Sequence, residues 1–256
     1  MDKRIGAQYF TLRDYIKTLE DFDSTCSKVS QIGYKTVQIS GTPLEAKEMK
    51  EILDKYNLKV VTTHKGFADF VNNLDTIIDY NKTLGCGVCG VGSMPPEYYN
   101  DSEGVTRFIK EANDVAEKLR KEGLYFGYHN HSFEFAKFDG KTIMDRLIDE
   151  TNPQNFYFIA DTYWYQMGGV NPVDMIYKLK GRIPVVHFKD FAIYTDDWQV
   201  PAMAEVGYGN LDWDAIIKAC EETDVKWALV EQDICKRDPF DSLKMSYDYL
   251  TKKGFI

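Results

Sequence analysis

The stretch FYFIADTYW, residues 156–164, is an apolar run that ends on a carboxylate and passes at once into a helix-like segment. Phe156 to Ala160 reads as a buried β-strand, and Asp161 closes it. Three other runs close in the same way: Leu124 to Tyr128 on His129, Ile183 to Val186 on His187, and Trp227 to Val230 on Glu231. Two imidazoles and two carboxylates form an oxygen and nitrogen donor set suited to a divalent metal. If these strands are parallel and closed into a barrel, all four side chains meet in one mouth at its C-terminal rim.

Outward from these four runs the same alternation continues. Strands are expected at Arg4 to Phe10, Thr36 to Ser40, Leu58 to His64, Cys86 to Gly92, Leu124 to His131, Phe156 to Thr162, Ile183 to Lys189 and Lys226 to Asp233. Amphipathic, helix-like segments lie between them, among them Leu19 to Ile32, Pro43 to Tyr56, Leu74 to Leu84, Gly104 to Arg120, Leu211 to Cys220 and Pro239 to Leu250. Thr42-Pro43, Asn171-Pro172 and Asp238-Pro239 each set a capping side chain before a proline at a first helical position. Gly33, Gly85, Gly123 and Gly181 stand where helices end.

Eight βα units with no Pro/Ser-rich linker predict a single domain over residues 1–256, a (β/α)8 TIM barrel. A closed barrel is favoured over an open sheet because the polar residues at strand ends are spread over all the repeats. Gln8, Gln38, His64, His129, Asp161, His187 and Glu231 would ring one mouth, whereas an open sheet gathers its site at a switch point. No GxGxxG follows the first strand and no GxxxxGK[ST] occurs, so dinucleotide and P-loop readings lack their residues.

Composition narrows the partners. The 256 residues are 44% hydrophobic and 14% aromatic, enough for one sizeable core, and carry a net charge of −9 from 31 basic and 40 acidic residues. Such a surface repels phosphate backbones and anionic lipid, which disfavours nucleic acid and membrane as partners. The N-terminus lacks a secretory signal pattern and no run approaches a membrane span of about 18 apolar residues, so a cytoplasmic protein is expected. Five scattered cysteines fit reduced thiols. Cys86 and Cys89 form a CxxC inside the apolar run CGVCGVG, with no second pair to complete a zinc site, and are expected to be buried thiols of a core strand.

Each candidate residue also has a bland explanation. Asp161 suits a helix N-cap, and a lone His187 after a strand suits a core hydrogen bond. Glu231 directly after an apolar strand is costly unless a metal or an arginine compensates it. In YHNHSFEF (Tyr128 to Phe135), His129 and His131 share one face of a strand while Asn130 takes the other, and one of the two histidines is expected to be structural. Tyr9, Phe67, Tyr163, Trp164, Trp198 and Trp213 are candidates for stacking on a sugar ring. GYGNLDW (Gly207 to Trp213) is a candidate flexible loop closing on substrate, with Asp212 early in the following helix. A metal in such a mouth would bind neighbouring hydroxyl and carbonyl oxygens and stabilise the enediolate left when a proton leaves the adjoining carbon. The ligand types fit ions from zinc to manganese.

Taken in order, YHNHSFEF, DTYW, HFKD, GYGNLDW and VEQD resemble the xylose-isomerase-like barrel family, often called sugar phosphate isomerase/epimerase, over nearly the whole chain. The resemblance implies a divalent metal, most often manganese, with zinc, magnesium or cobalt as alternatives, held at the ends of strands five to eight. The family's Glu, Asp, His, Glu pattern is matched by Asp161, His187 and Glu231 at its last three positions. The first departs: where many members have Glu-Asn-His, this chain has His129-Asn130-His131. A symmetric exchange of protons between two glutamates, as the family's ketose epimerases imply, is therefore not implied here, and Glu134 or His131 would have to serve instead. A similar His-rich strand five belongs to the inosose-dehydratase and keto-glycoside-cleaving relatives.

The reading is thus a metal-dependent sugar isomerase or epimerase that removes a proton α to a carbonyl, with a lyase or dehydratase of a keto-sugar, keto-glycoside or inosose as the alternative. His129, Asp161, His187 and Glu231 are assigned to the metal. Glu231, Glu134, His131 and Lys189 are the candidate acid/base or positioning groups, and Gln8, Gln38, His64 and Trp164 the substrate lining. AP endonucleases share the barrel, but four histidines and a charge of −9 argue against a multi-metal site and a basic DNA-binding face. A non-catalytic subunit or sensor is opposed by the near-complete ligand set. The partner expected is a small sugar or keto-sugar, and homo-oligomerisation is allowed by the aromatic surplus without being fixed by any feature.

Overall fold

All eight apolar runs form strands in the computed structural model, which describes residues 1–256 except for the side chains of 197–199. The expectation for Trp198 therefore lies outside the described residues. The strands are β1 (Gly6–Gln8), β2 (Thr36–Ile39), β3 (Lys59–Lys65), β4 (Val88–Val91), β5 (Tyr125–His129), β6 (Phe156–Asp161), β7 (Val185–Phe188) and β8 (Trp227–Val230). Neighbours pair in parallel, and β1 pairs with both β2 and β8, which closes the ring into a TIM barrel. Most strands are shorter than their sequence runs because the terminal residues leave the ladder to carry side chains or turn into loops.

The helices Leu19–Ile32 and Leu74–Leu84 match their sequence spans, while Ser102–Lys121, Trp213–Glu222 and Pro239–Lys252 differ from theirs by a few residues at one or both ends. Asn171 and Asp238 cap their helices ahead of Pro172 and Pro239, as their side chains accept from Val173 N and Phe240 N. Thr42-Pro43 does not act so. That helix starts at Ala46, and the Thr42 hydroxyl instead bonds the Ile16 carbonyl and caps Leu44 N within the preceding loop. Gly33, Gly85, Gly123 and Gly181 all have positive φ and end helices as expected.

Strand alternation then sets the interior in tiers. Tyr125, Tyr157, Ile183 and Trp227 line the N-terminal end of the barrel. Two residues further along each of three strands, Ile159, Val185 and Leu229 join Val61 and Val88 in an apolar plug. Two residues further still come His129, Asp161, His187 and Glu231. The intervening positions, among them Phe126, Phe156, Phe158 and Phe188, face outward and are wholly buried under the helices. One step of the pleat thus separates Asp161, His187 and Glu231 from the branched Ile159, Val185 and Leu229, while Gly127 holds that position before His129.

All five cysteines are free. Cys86 and Cys89 are buried, and burial pushes the Cys86 thiol up to about 12, so the CGVC run packs as core. Among the described residues, no helix is long and apolar enough to cross a membrane.

Candidate metal centre

At the C-terminal ends of β5 to β8 the four strand-closing side chains converge. One ligand atom from each of His129, Asp161, His187 and Glu231 lies within 4.8 Å of the others, and all four residues are buried. His129 Nε2 is 3.3 Å from Asp161 Oδ2 and 3.8 Å from Glu231 Oε2. His187 Nδ1 is 2.9 Å from Glu231 Oε2 and 3.9 Å from Asp161 Oδ2.

The backs of these side chains decide which atoms point inward. His129 Nδ1 lies 3.0 Å from the Gly92 carbonyl oxygen and His187 Nε2 lies 2.7 Å from Gln38 Oε1, and both acceptors require N–H donors. Nε2 of His129 and Nδ1 of His187 are then the bare nitrogens. His187 Nδ1 has no hydrogen-bond partner among the described residues although it is buried against a carboxylate oxygen. Bare imidazole nitrogens facing carboxylate oxygens repel unless a proton or a cation lies between them, so the arrangement suits a metal ion. Asp161 divides its two oxygens. Oδ1 caps the next helix by accepting from Trp164 N, at 3.0 Å, so the N-cap reading holds, while Oδ2 faces the cluster and is left for a ligand role.

Charge makes the same point. Lys189, the lysine of HFKD, is wholly buried with Nζ 3.5 Å from Asp161, 3.4 Å from Glu231 and 2.8 Å from Asp233. Three carboxylates against one ammonium leave two negative charges, which a divalent cation balances. Burial alone would push the Glu231 carboxyl up, but the Lys189 ammonium beside it holds it well below the usual carboxylate range. Burial likewise opposes a proton on His129, yet its hydrogen bond to Asp161 and the nearby charges raise it above the ordinary histidine value. Without a metal, a proton on His129 supplies part of the missing positive charge. The residues therefore fit a divalent cation.

A cavity of about 440 Å³ opens onto this cluster, lined by Gln8, Ser40, His64, His129, His131, Glu231 and Asp233 among others. A second cavity of about 390 Å³ sits at the opposite, N-terminal end of the barrel, against Tyr125, Tyr157 and Trp227, and is lined by none of the four ligand residues. We take the first as the site, because its chemistry and its place at the C-terminal face agree. Burial keeps both His64 and His131 neutral. It pushes His131, helped by His129, down to about 2. His64 Nε2, His131 Nδ1 and Trp164 Nε1 are buried without hydrogen-bond partners among the described residues. Gly90 makes room for the His64 ring, since a Cβ there would lie 2.7 Å from its Cδ2 and 2.3 Å from the Thr63 carbonyl oxygen.

Several expected residues take other places. Gln8 donates from Nε2 to Glu231 Oε1 at 2.8 Å while still lining the cavity, and Gln38, which does not border the cavity, accepts from His187, so both amides support candidate ligands. Glu134 is sealed: its oxygens accept from Tyr128 Oη at 2.7 Å and His131 N at 2.8 Å, and it does not border the cavity. Tyr9, Phe67 and Trp213 belong to the core rather than to the mouth, while Trp164 packs on His131 and under Lys189. The GYGNLDW loop is pinned rather than free, because Asp190 accepts from Gly207 N, Gly209 N, Leu211 N and Trp213 Nε1. Asp212 is the N-cap of the helix that follows. Asp233 and Asp190 were not singled out from sequence. Asp233 follows Glu231 by one pleat and Asp190 follows Lys189 directly, which were the available signals.

Burial raises the Glu134 carboxyl from 4.5 to about 7. The folded protein then holds a proton that the unfolded chain has lost, so stability is full below about pH 4.5 and falls as pH rises through 7. That rise is worth roughly 3 kcal/mol at 1.36 kcal/mol per pH unit. Urea unfolding of the metal-free protein between pH 4.5 and 8 should show wild type losing about that much relative to Glu134→Gln, whose amide oxygen still accepts from His131 N. Parallel profiles would contradict the assignment.

The family model described as xylose isomerase-like TIM barrel matches residues 26–252. An inosose dehydratase of Clostridium beijerinckii is 22% identical over 91% of this chain and 90% of its own length. Among solved structures, a sugar phosphate isomerase/epimerase from Parabacteroides distasonis superposes with a TM-score of 0.81 at 22% identity, covering 97% of this chain and 93% of its own. A probable 3-DHS dehydratase from Bacillus anthracis gives 0.74 at 15% identity, with 98% and 99% covered. The two structures share the fold.

Proposed function

This chain belongs to the xylose isomerase-like TIM-barrel family, and from that premise we propose that it is a divalent-metal-dependent enzyme removing a proton α to a carbonyl of a sugar or keto-sugar. The observation that carries the reading is the buried convergence of His129, Asp161, His187 and Glu231. Manganese is the ion proposed, with zinc, magnesium and cobalt as alternatives of equal charge. When bound, the cation supplies a Lewis acid beside the substrate carbonyl and makes the neighbouring C–H more acidic.

The chain's own groups do the rest. His131 offers a neutral imidazole with an unpartnered Nδ1 beside the cavity, placed to accept a hydrogen bond from a substrate hydroxyl, which leaves Glu231 as the candidate base. Lys189, fixed between Asp161, Glu231 and Asp233, orients those carboxylates and balances part of their charge. His64, which lines the cavity, has an Nε2 left without a partner to meet a substrate hydroxyl. The free cysteines suit a reducing, cytoplasmic compartment.

A second outcome of the same proton abstraction is supported by one observation. Glu231 is the only glutamate among the described residues lining the cavity. Exchange between two glutamates on opposite faces lacks its second member, whereas loss of a proton followed by departure of the neighbouring oxygen needs one base and one acid. β-Elimination from a keto-sugar, keto-glycoside or inosose therefore stands beside isomerisation, in keeping with a dehydratase among the relatives. Incubating manganese-loaded protein with ketoses, inosose and 3-keto-glycosides in deuterated water separates the two. Deuterium uptake with every oxygen retained indicates epimerisation, and release of water or an aglycone indicates elimination. Full activity in metal-stripped protein would sink both.

A further inference from the structure

Gln8 and Gln38 occupy partnered positions on β1 and β2, and each reaches across the barrel end to the back of one ligand. Gln8 Oε1 accepts from Phe10 N at 2.7 Å, which fixes the amide so that its Nε2 must face Glu231 Oε1. Gln38 is wholly buried, presents Oε1 to His187 Nε2 at 2.7 Å and turns its own Nε2 toward Ser40 Oγ at 3.4 Å. The two ligands so held are the pair whose inward atoms come closest, His187 Nδ1 and Glu231 Oε2 at 2.9 Å.

We infer that Gln38 is a positioning residue that holds His187 in the tautomer with Nε2 protonated, and that Gln8 confines Glu231 to a single inward oxygen. The inference rests on the metal reading above. An amide oxygen can only accept, so the Nε2–H tautomer is stabilised and Nδ1 is presented bare and pre-oriented. A free imidazole would divide between tautomers and ring orientations, and half of its arrangements would turn an N–H toward the two carboxylates and the cation. Partners of this kind behind a metal-bound imidazole typically change affinity by about 10- to 100-fold when removed. Gln8 acts on the opposite charge type. By occupying Glu231 Oε1 it disfavours two-oxygen binding and leaves a position at the metal for substrate.

Manganese titration calorimetry on metal-stripped wild type, Gln38→Met and Gln38→Glu provides the test. Methionine keeps the volume and removes the acceptor, and should weaken binding by about 10- to 100-fold. Glutamate keeps an acceptor and should bind at least as tightly as wild type. Equal affinity in the methionine variant, or equal loss in both, overturns the inference. Should either variant fail to fold, ¹⁵N shifts of His187 in zinc-loaded wild type decide it directly, with bare Nδ1 and protonated Nε2 expected and the reverse overturning it. For Gln8, the visible spectrum of cobalt-loaded Gln8→Leu should weaken toward that of a higher-coordinate ion, and an unchanged spectrum refutes the single-oxygen role. Wild type that takes up no manganese would bring down the metal reading and this inference together, whereas binding that is insensitive to Gln38 removes the inference alone.

Discussion

Glu231→Gln is expected to abolish tight manganese binding and to lower kcat/KM by about 10³-fold or more, the equivalent of about 4 kcal/mol of lost transition-state stabilisation. Glutamine has the same shape, and its Oε1 still accepts from Gln8 Nε2, so the back of the side chain stays in place. The change is electrostatic. Of three carboxylates around Lys189, two remain, and the deficit that favours a divalent ion falls by one charge at the atom nearest His187 Nδ1. The same arithmetic makes the experiment specific. Without metal, the variant has less uncompensated buried charge than wild type and should unfold at an equal or higher temperature. Lost binding and activity with preserved metal-free stability would identify a ligand. A variant that loses stability and activity together would mean that Glu231 mainly holds the fold, and wild-type affinity for manganese would refute the assignment. Calorimetric titration and thermal unfolding with and without manganese suffice.

The strand-closing residues were legible in the sequence because one physical rule governs them. On β6, Tyr157, Ile159 and Asp161 alternate inward, and the step from branched to ionisable side chain is visible in the bare run FYFIAD. The barrel followed from the same rule applied eight times. The rule fails where a side chain's direction depends on its partners. Gln8 and Gln38 sit at strand ends like the four clustered residues, and only the inward reach of Glu231 and His187 turns their amides toward those side chains. Glu134 follows His131 by three residues, and a 3-10 turn at Phe133–Phe135 folds it beneath the strand onto Tyr128. Tyr9 was readable in principle, since it directly follows inward Gln8, so it turns to the other side and donates to Cys26 Sγ. Thr42-Pro43 shows the limit of local chemistry: the hydroxyl serves a loop carbonyl at Ile16, and the helix waits for Ala46.

Lys189→Met should cost about 3–5 kcal/mol of stability in the metal-free protein, because it removes the positive charge from the centre of three carboxylates and leaves them buried. The methionine can occupy the apolar surface over Trp164, where the lysine head now lies 5.0 Å from the ring centroid, so lost packing is a minor part of the loss. At roughly 2–4 °C per kcal/mol for a chain of 150–250 residues, the melting temperature should fall by about 6–20 °C. Saturating manganese should recover much of that loss, since binding to the folded state alone adds RT ln(1 + [L]/Kd) and the ion now faces three carboxylates with no competing ammonium. The gap between wild type and variant should therefore narrow on adding metal, the opposite of what a purely structural lysine would give. A constant gap with and without manganese would assign Lys189 to the scaffold. An unchanged metal-free melting temperature would mean that Asp161, Glu231 and Asp233 do not all carry charge in the folded protein, and the charge argument for a divalent ion would fail with it.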